Sequence, residues 1–197
     1  MSKAASLIVV STLFVACSSE APSPTAPISV PVFSDAAQSA SANGGNFGTP
    51  LSGGEEVPAR PSRARGNAIF QLNADGTALS YKLIVANIEN AFMAHIHMAP
   101  AGANGMIVVW LFPSTAPGVQ LEPGGGRLDG VIAEGTITAA NLVGPLANQS
   151  LSALVDILSN GNAYVNVHTN DGVDPANTGP GDFPGGEVRG QVEHRGH

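Results

Sequence analysis

Apolar and polar residues alternate along most of the chain beyond residue 66, and this alternation predicts short β-strands. In residues 67–72 and 79–86 the side chains of every second position are apolar, so each run would turn an apolar face towards a core. The sequence Asn-Ala-Asp-Gly at residues 73–76 favours a tight hairpin turn between the two runs. Further strands are predicted at residues 92–98, 106–112, 130–138, 163–169 and 186–193.

One segment departs from the two-residue period. Leu151, Leu154, Val155 and Leu158 follow each other at helical spacing, behind a serine at position 150 that is suited to cap a helix. The chain also contains 24 glycines and 15 prolines, which favour frequent turns and short strands. We therefore expect an all-β domain, an antiparallel Greek-key-like β-sandwich or barrel of about eight strands with one short crossover helix.

The first 17 residues have the composition of a lipoprotein signal peptide. Lys3 supplies a positive charge, and residues 4–16 form an apolar stretch that is too short to span a bilayer as a helix. Cys17, the only cysteine, directly follows Leu-Phe-Val-Ala, which resembles a bacterial lipobox. We expect a signal peptide over residues 1–17 that ends at a lipidated Cys17. The alternative is a soluble secreted protein in which Cys17 has no role.

Residues 18–46 are rich in serine, alanine and proline, and such a composition buries too little apolar surface to order itself. We expect a disordered tether there, followed by one domain over residues 47–194. The lipid would hold this domain on a bacterial membrane, at the cell surface or on the periplasmic face. No cysteine follows Cys17, so the domain cannot contain a disulfide.

The charge balance argues against one class of partner. The net charge is −7, and the largest basic cluster consists of Arg60, Arg63 and Arg65. A nucleic acid partner requires a positive stripe that displaces counterions from the phosphates. We therefore expect no nucleic acid binding. The expected partners are the membrane, through the N-terminal lipid, and a protein or small ligand of unknown identity.

Six sequence blocks occur in a characteristic order. They are LSGGEEVP at 51–58, DGTALSY at 75–81, AHIH at 94–97 with Asn-Gly at 104–105, GTITAA at 135–140 with GPL at 144–146, YVNVHT at 164–169, and GEVRGQV at 186–192. Together they resemble the successive signatures of the CHRD domain family, named after chordin, over about residues 47–193. The resemblance implies an extracytoplasmic binding or interaction module. The cysteine-rich modules of chordin do not occur in the sequence, so antagonism of growth factors is not implied.

Three histidines are the candidates for chemistry. His95 and His97 are two positions apart in a predicted strand, so their side chains project from one face about 6.5 Å apart, and His168 shares a face with Asn166 in another strand. If the two strands are neighbours, the three imidazoles converge. Imidazole nitrogens suit copper, zinc or nickel, and we expect one copper or zinc ion here. The alternative is that the three rings, with Asn166, form hydrogen bonds that stabilise a semi-polar sheet face.

The same histidine pattern is similar to the copper half of a copper/zinc superoxide dismutase, in which a His-x-His strand is followed by a later Val-His strand. This resemblance implies an alternative function, a mononuclear copper redox enzyme. The two other histidines, His194 and His197, lie near the carboxyl end and supply neither a bridging ligand nor a zinc site, and the sequence has no motif for nucleophilic catalysis. We therefore assign no catalytic residue and favour a binding module over an enzyme.

Two charged residues near the carboxyl end are candidates to orient the metal ligands. Glu187 and Arg189 share a strand face by the two-residue period, and we expect them, with Asn166, to support the three histidines. The alternative is an inter-strand ion pair that fixes the strand register, in which Glu55 or Glu56 is the partner of Arg189.

Overall fold

The computed structural model describes residues 45–113 and 123–195. The expected signal peptide and nearly all of the expected tether lie outside the described residues. Within this described part the chain forms nine β-strands and one α-helix. They are β1 (Asn46–Ser52), β2 (Arg65–Leu72), β3 (Leu79–Glu89), β4 (Ala91–Met98), β5 (Met106–Phe112), β6 (Arg127–Ile137), α1 (Leu151–Ser159), β7 (Ala163–Thr169), β8 (Val188–Gln191) and β9 (Glu193–His194).

The strands form one antiparallel sheet in the order β5-β4-β7-β8-β1-β2-β3-β6, with β9 beside β1. The strands β3 and β4 follow each other in sequence but lie far apart in the sheet, which is a Greek-key connection. The sheet curls until its end strands β5 and β6 approach each other. Across this seam the Tyr81 hydroxyl of β3 donates a hydrogen bond of 2.8 Å to the Leu111 carbonyl of β5. The structure confirms the predicted fold class as a nearly closed eight-stranded barrel.

The apolar face predicted for β3 fills the barrel interior. Leu79, Leu83 and Val85 are at most 1% exposed. Lys82, on the opposite face, is exposed and forms an ion pair of 3.4 Å with Glu134 of β6. The four apolar residues of the predicted helix face are also buried in this core, so α1 packs against the barrel as its spacing predicted.

The strand pattern does not predict β1. Its sequence contains a glycine and a proline, which usually interrupt strands. In the structure β1 pairs with β2 at seven successive positions, and this long register outweighs the weak local propensity. The bounds of several other strands differ from expectation, most clearly in β3, which continues to Glu89, in β6, which begins at Arg127, and in β8, which covers only Val188–Gln191.

The helix α1 has almost the bounds that its apolar spacing predicts. Ser150 occupies the N-cap position, but its hydroxyl pairs with the Ser152 hydroxyl at 2.7 Å and does not cap the backbone. Among the described residues, no helix is both long enough and apolar enough to cross a membrane.

The outward face of β7 is covered, although the outer face of a barrel usually meets solvent. Side chains that point into the core alternate along β7 with side chains that point outward, yet all seven residues are buried. The turn between β4 and β5 contacts the outward Tyr164 through Gly105, and the segment between β7 and β8 contacts the outward His168 through Pro184. The candidate metal residues lie on this covered face.

Candidate metal centre

The pairing of β4 with β7 brings the three predicted metal ligands together. His95 lies opposite Asn166, His97 lies opposite Tyr164, and His168 follows two residues after Asn166 on the same face. Each histidine offers one ring nitrogen, and these three nitrogens all lie within 4.8 Å of one another. The arrangement is therefore compact enough for one metal ion to reach all three rings.

Backbone carbonyls orient two of the rings. His97 Nδ1 is 2.9 Å from the carbonyl oxygen of Gly105, and His168 Nδ1 is 2.9 Å from that of Pro184. A carbonyl can only accept a hydrogen bond, so Nδ1 carries the proton in both rings. Each ring is thereby held in the tautomer whose Nε2 has a free lone pair, which is the form that a metal requires.

The third ring contacts its neighbour directly. His95 Nδ1 is 3.2 Å from His168 Nε2, and because that Nε2 is unprotonated, His95 Nδ1 is the hydrogen-bond donor in the metal-free protein. The lone pairs of His95 Nε2 and His97 Nε2 are buried and have no hydrogen-bond partner among the described residues. A buried acceptor without a partner costs about 1–3 kcal/mol, so a positively charged partner would stabilise each of these two lone pairs.

Burial keeps the three imidazoles neutral. His95 is fully buried, and His97 and His168 are 8% and 6% exposed. Loss of hydration lowers the pKa of every ring, to about 2 for His95 and to about 4 for His168, and the neighbouring imidazoles add to this effect for both rings. Neutral imidazole is the form that binds metals, so the cluster holds its ligands ready at neutral pH.

Aromatic side chains confine the histidine rings. Trp110 of β5 meets His95 edge to face, with 4.2 Å between the ring centroids. Tyr164 stacks on His97 at 4.7 Å with an angle of 8° between the planes, and the Arg189 guanidinium lies 3.4 Å from the Tyr164 centroid. These contacts hold the rings in place and exclude water from them.

The Glu187 carboxylate is occupied by hydrogen bonds to neighbouring segments. It accepts from the Thr169 hydroxyl at 2.7 Å, from the Gly181 backbone N–H at 2.8 Å and from the Ser62 hydroxyl. These bonds tie β7 to the segment that carries Pro184. Glu187 therefore steadies the loop whose carbonyl orients one of the histidines.

Arg189 supports the opposite loop. Its guanidinium donates to Asn104 Oδ1 at 3.0 Å and to the Ala103 carbonyl at 2.8 Å, and both residues belong to the turn that carries Gly105. Among the described residues no carboxylate oxygen lies within 4.0 Å of the guanidinium, so the alternative of a direct ion pair with Glu55 or Glu56 is not observed.

Several residues of the site could not be assigned from the sequence. Gly105 and Pro184 contribute only their backbone carbonyls to the site, so their side chains give no signal in the sequence. Trp110 lies in a continuously apolar strand whose two faces cannot be distinguished by pattern. Glu56 is only 6% exposed, and its burial raises its pKa to about 7 although Arg189 and Arg60 lower it. The sequence offered Glu56 only as an ion-pair partner and carried no signal of its burial.

Comparison with protein families agrees with the sequence blocks. The family model for the CHRD domain matches residues 47–192, which is most of the chain and nearly the range expected from the blocks. No curated protein and no solved structure matches the chain. CHRD domains are extracellular modules. Since the match runs from β1 through β8, this chain belongs to the CHRD domain family.

Proposed function

We propose that the protein is an extracellular binding module that holds one copper or zinc ion with His95, His97 and His168. The observation that carries this proposal is the convergence of three buried, neutral imidazoles in which two ring nitrogens have no hydrogen-bond partner among the described residues. A metal ion would take up the Nε2 lone pairs of His97 and His168 together with one ring nitrogen of His95.

The donor set favours copper or zinc. Both metals accept imidazole nitrogens at about 2.0–2.1 Å. His95 Nδ1 and His168 Nε2 are already 3.2 Å apart, which is close to the separation of two nitrogen ligands on one four-coordinate ion. Little movement of these two rings is needed for them to share a metal.

Burial favours a binding role over the alternative of a copper redox enzyme. The unpartnered ring nitrogens of His95 and His97 are out of contact with solvent, and a redox substrate would have to reach the metal through this covered face. A surface depression of about 710 Å³ lies elsewhere, on β2, β3 and β6, and none of the three histidines lines it. We therefore place redox catalysis second.

The location is part of the proposal and is supported by the sequence. The charged and apolar segments of residues 1–16 are followed directly by Cys17, and residues 18–46 have the composition of a tether. A lipid on Cys17 would hold the domain at the outer side of a bacterial membrane. The net charge of −7 favours a protein or small-ligand partner over a nucleic acid.

Metal analysis of protein purified without chelator or affinity tag tests the metal site. We expect about one copper or zinc ion per chain, because all ligands come from one cluster. Chelation should lower the Tm, and added metal should raise it with the logarithm of the ratio of metal concentration to Kd. His97→Ala should abolish this shift, whereas His194→Ala, on exposed β9, should preserve it.

Two outcomes would change the conclusion. Protein that contains no metal, and whose Tm is unmoved by copper or zinc well above micromolar concentration, would contradict the metal site. The histidines would then be hydrogen-bonding residues of the scaffold. One tightly held copper ion with redox turnover would favour the enzyme instead.

A further inference from the structure

Asn166 borders all three histidines. It lies directly opposite His95 in the pairing of β4 with β7, and it shares the outward face of β7 with His168. Its side-chain amide also lies near the His97 ring, and this proximity raises the pKa of that imidazole. The side chain is only 2% exposed, so this amide is enclosed within the cluster.

The amide oxygen of Asn166 is an unsatisfied acceptor. Asn166 Oδ1 is buried and has no hydrogen-bond partner among the described residues, as is also true of His97 Nε2. Buried polar atoms are nearly always paired, and two unpaired acceptors cannot satisfy each other. A metal ion bound by both atoms would pair both acceptors at once.

Glu56 lies on the nitrogen side of the same amide. The Asn166 amide nitrogen and the Glu56 carboxyl both lie against Gly186, and the nearby amide lowers the pKa of Glu56. Gly186, with φ of 124°, makes this approach feasible, since any side chain there would collide with the Glu56 carboxyl and the Asn166 amide nitrogen. With the amide nitrogen turned to the carboxyl, Oδ1 is turned away from it.

We propose that Asn166 Oδ1 is the fourth ligand of the metal ion and that Glu56 holds the amide in the ligating orientation. This inference rests on the proposed metal site at the three histidines. It describes a four-coordinate centre with three nitrogens and one neutral oxygen, all supplied by the protein. An oxygen ligand favours zinc and divalent copper over monovalent copper, which prefers softer donors.

Cobalt(II) is a suitable probe, because its visible absorption reports the number and type of ligands in a site that binds zinc. We expect wild-type protein to give a four-coordinate cobalt spectrum. Asn166→Ala should change that spectrum and weaken zinc binding at least about tenfold in a competition titration. Gln191→Ala is the matched control, because this amide on β8 donates to the Ala99 and Gly161 carbonyls and should leave both readouts unchanged.

A double variant, Glu56→Gln with Asn166→Asp, keeps the proposal testable if Asn166→Ala does not fold. It exchanges the amide and the carboxyl, so an amide still faces a carboxyl at this position and an oxygen is still presented to the metal. We expect this variant to keep a four-coordinate cobalt spectrum and to bind zinc at least as tightly as the wild type. Loss of metal binding in the folded double variant would contradict the proposal.

The outcomes separate the fourth ligand from the site itself. If wild type and Asn166→Ala share one cobalt spectrum and one zinc affinity while His97→Ala binds neither metal, Asn166 is not a ligand and the three-histidine site stands. If the wild type binds neither cobalt nor zinc, the proposed metal site fails, and the fourth ligand fails with it.

Discussion

The orientation of His97 depends on a residue without a side chain. The Gly105 carbonyl accepts a hydrogen bond of 2.9 Å from His97 Nδ1. The Gly105 N–H donates a hydrogen bond to the hydroxyl of Tyr164, whose ring stacks on His97. Any Cβ at Gly105 would collide with the backbone carbonyl of Met98. The turn can therefore approach β4 this closely only with glycine at this position.

Gly105→Ala should displace this turn and weaken zinc binding about 10- to 100-fold, the usual effect of losing a partner that orients a metal-bound imidazole. A competition titration with a zinc chelator measures the affinity, and a melt of the metal-free protein reports folding separately. Gly179→Ala is the control, because no atom lies within 4 Å of the added Cβ. Unchanged zinc affinity in Gly105→Ala would show that the carbonyl is dispensable.

Sequence reasoning identified the three histidines that the structure brings together but not the groups that orient them. The spacing of His95 and His97 predicts their shared face, because side-chain direction in a strand depends only on local geometry. The carbonyl that orients His97 belongs to a loop, and any residue type carries such a carbonyl. Its position depends on how the loop packs, which no residue pattern encodes.

Among the strands, β3 shows most directly that alternation determines which face is buried. Leu83 is fully buried, whereas the adjacent Lys82 is exposed and pairs with an exposed Glu134. Leu83→Ala should lower the free energy of unfolding by about 2–5 kcal/mol, since it leaves a cavity in the core. Lys82→Ala should cost less than about 1 kcal/mol. Urea denaturation of both variants measures the difference, and equal losses would contradict the assignment of the faces.

Pairing between strands was less predictable than the strands themselves. Alternation identifies the two faces of β7, but one neighbour of β7 is β4, which lies three strands earlier in the chain. Such a partner is selected by packing across the whole barrel and not by local propensity. The strand β1 shows the same limit, because its pairing with β2 outweighs its weak local propensity.

For the whole molecule, the order of the six sequence blocks predicted the family, and the family match covers the barrel from β1 through β8. The burial of the outward face of β7 could not be expected from the blocks. It arises because the connections between two pairs of neighbouring strands, β4 with β5 and β7 with β8, fold back over the sheet and bring the Gly105 and Pro184 carbonyls onto His97 and His168. The fold thus provides an enclosed polar cluster outside its hydrophobic core.

The proposed attachment of this barrel to a membrane depends on one atom, the sulfur of Cys17. A diacylglyceryl group on that sulfur would make the wild type partition into the detergent phase, since each buried methylene contributes about 0.8 kcal/mol. Cys17→Ser removes the acceptor, so we expect an unlipidated precursor that keeps residues 1–16 and is visible as a larger band on a gel. Ser19→Ala, which keeps the cysteine, should behave like the wild type. Maturation of Cys17→Ser to the wild-type size with unchanged partitioning would instead mean that Cys17 carries no lipid.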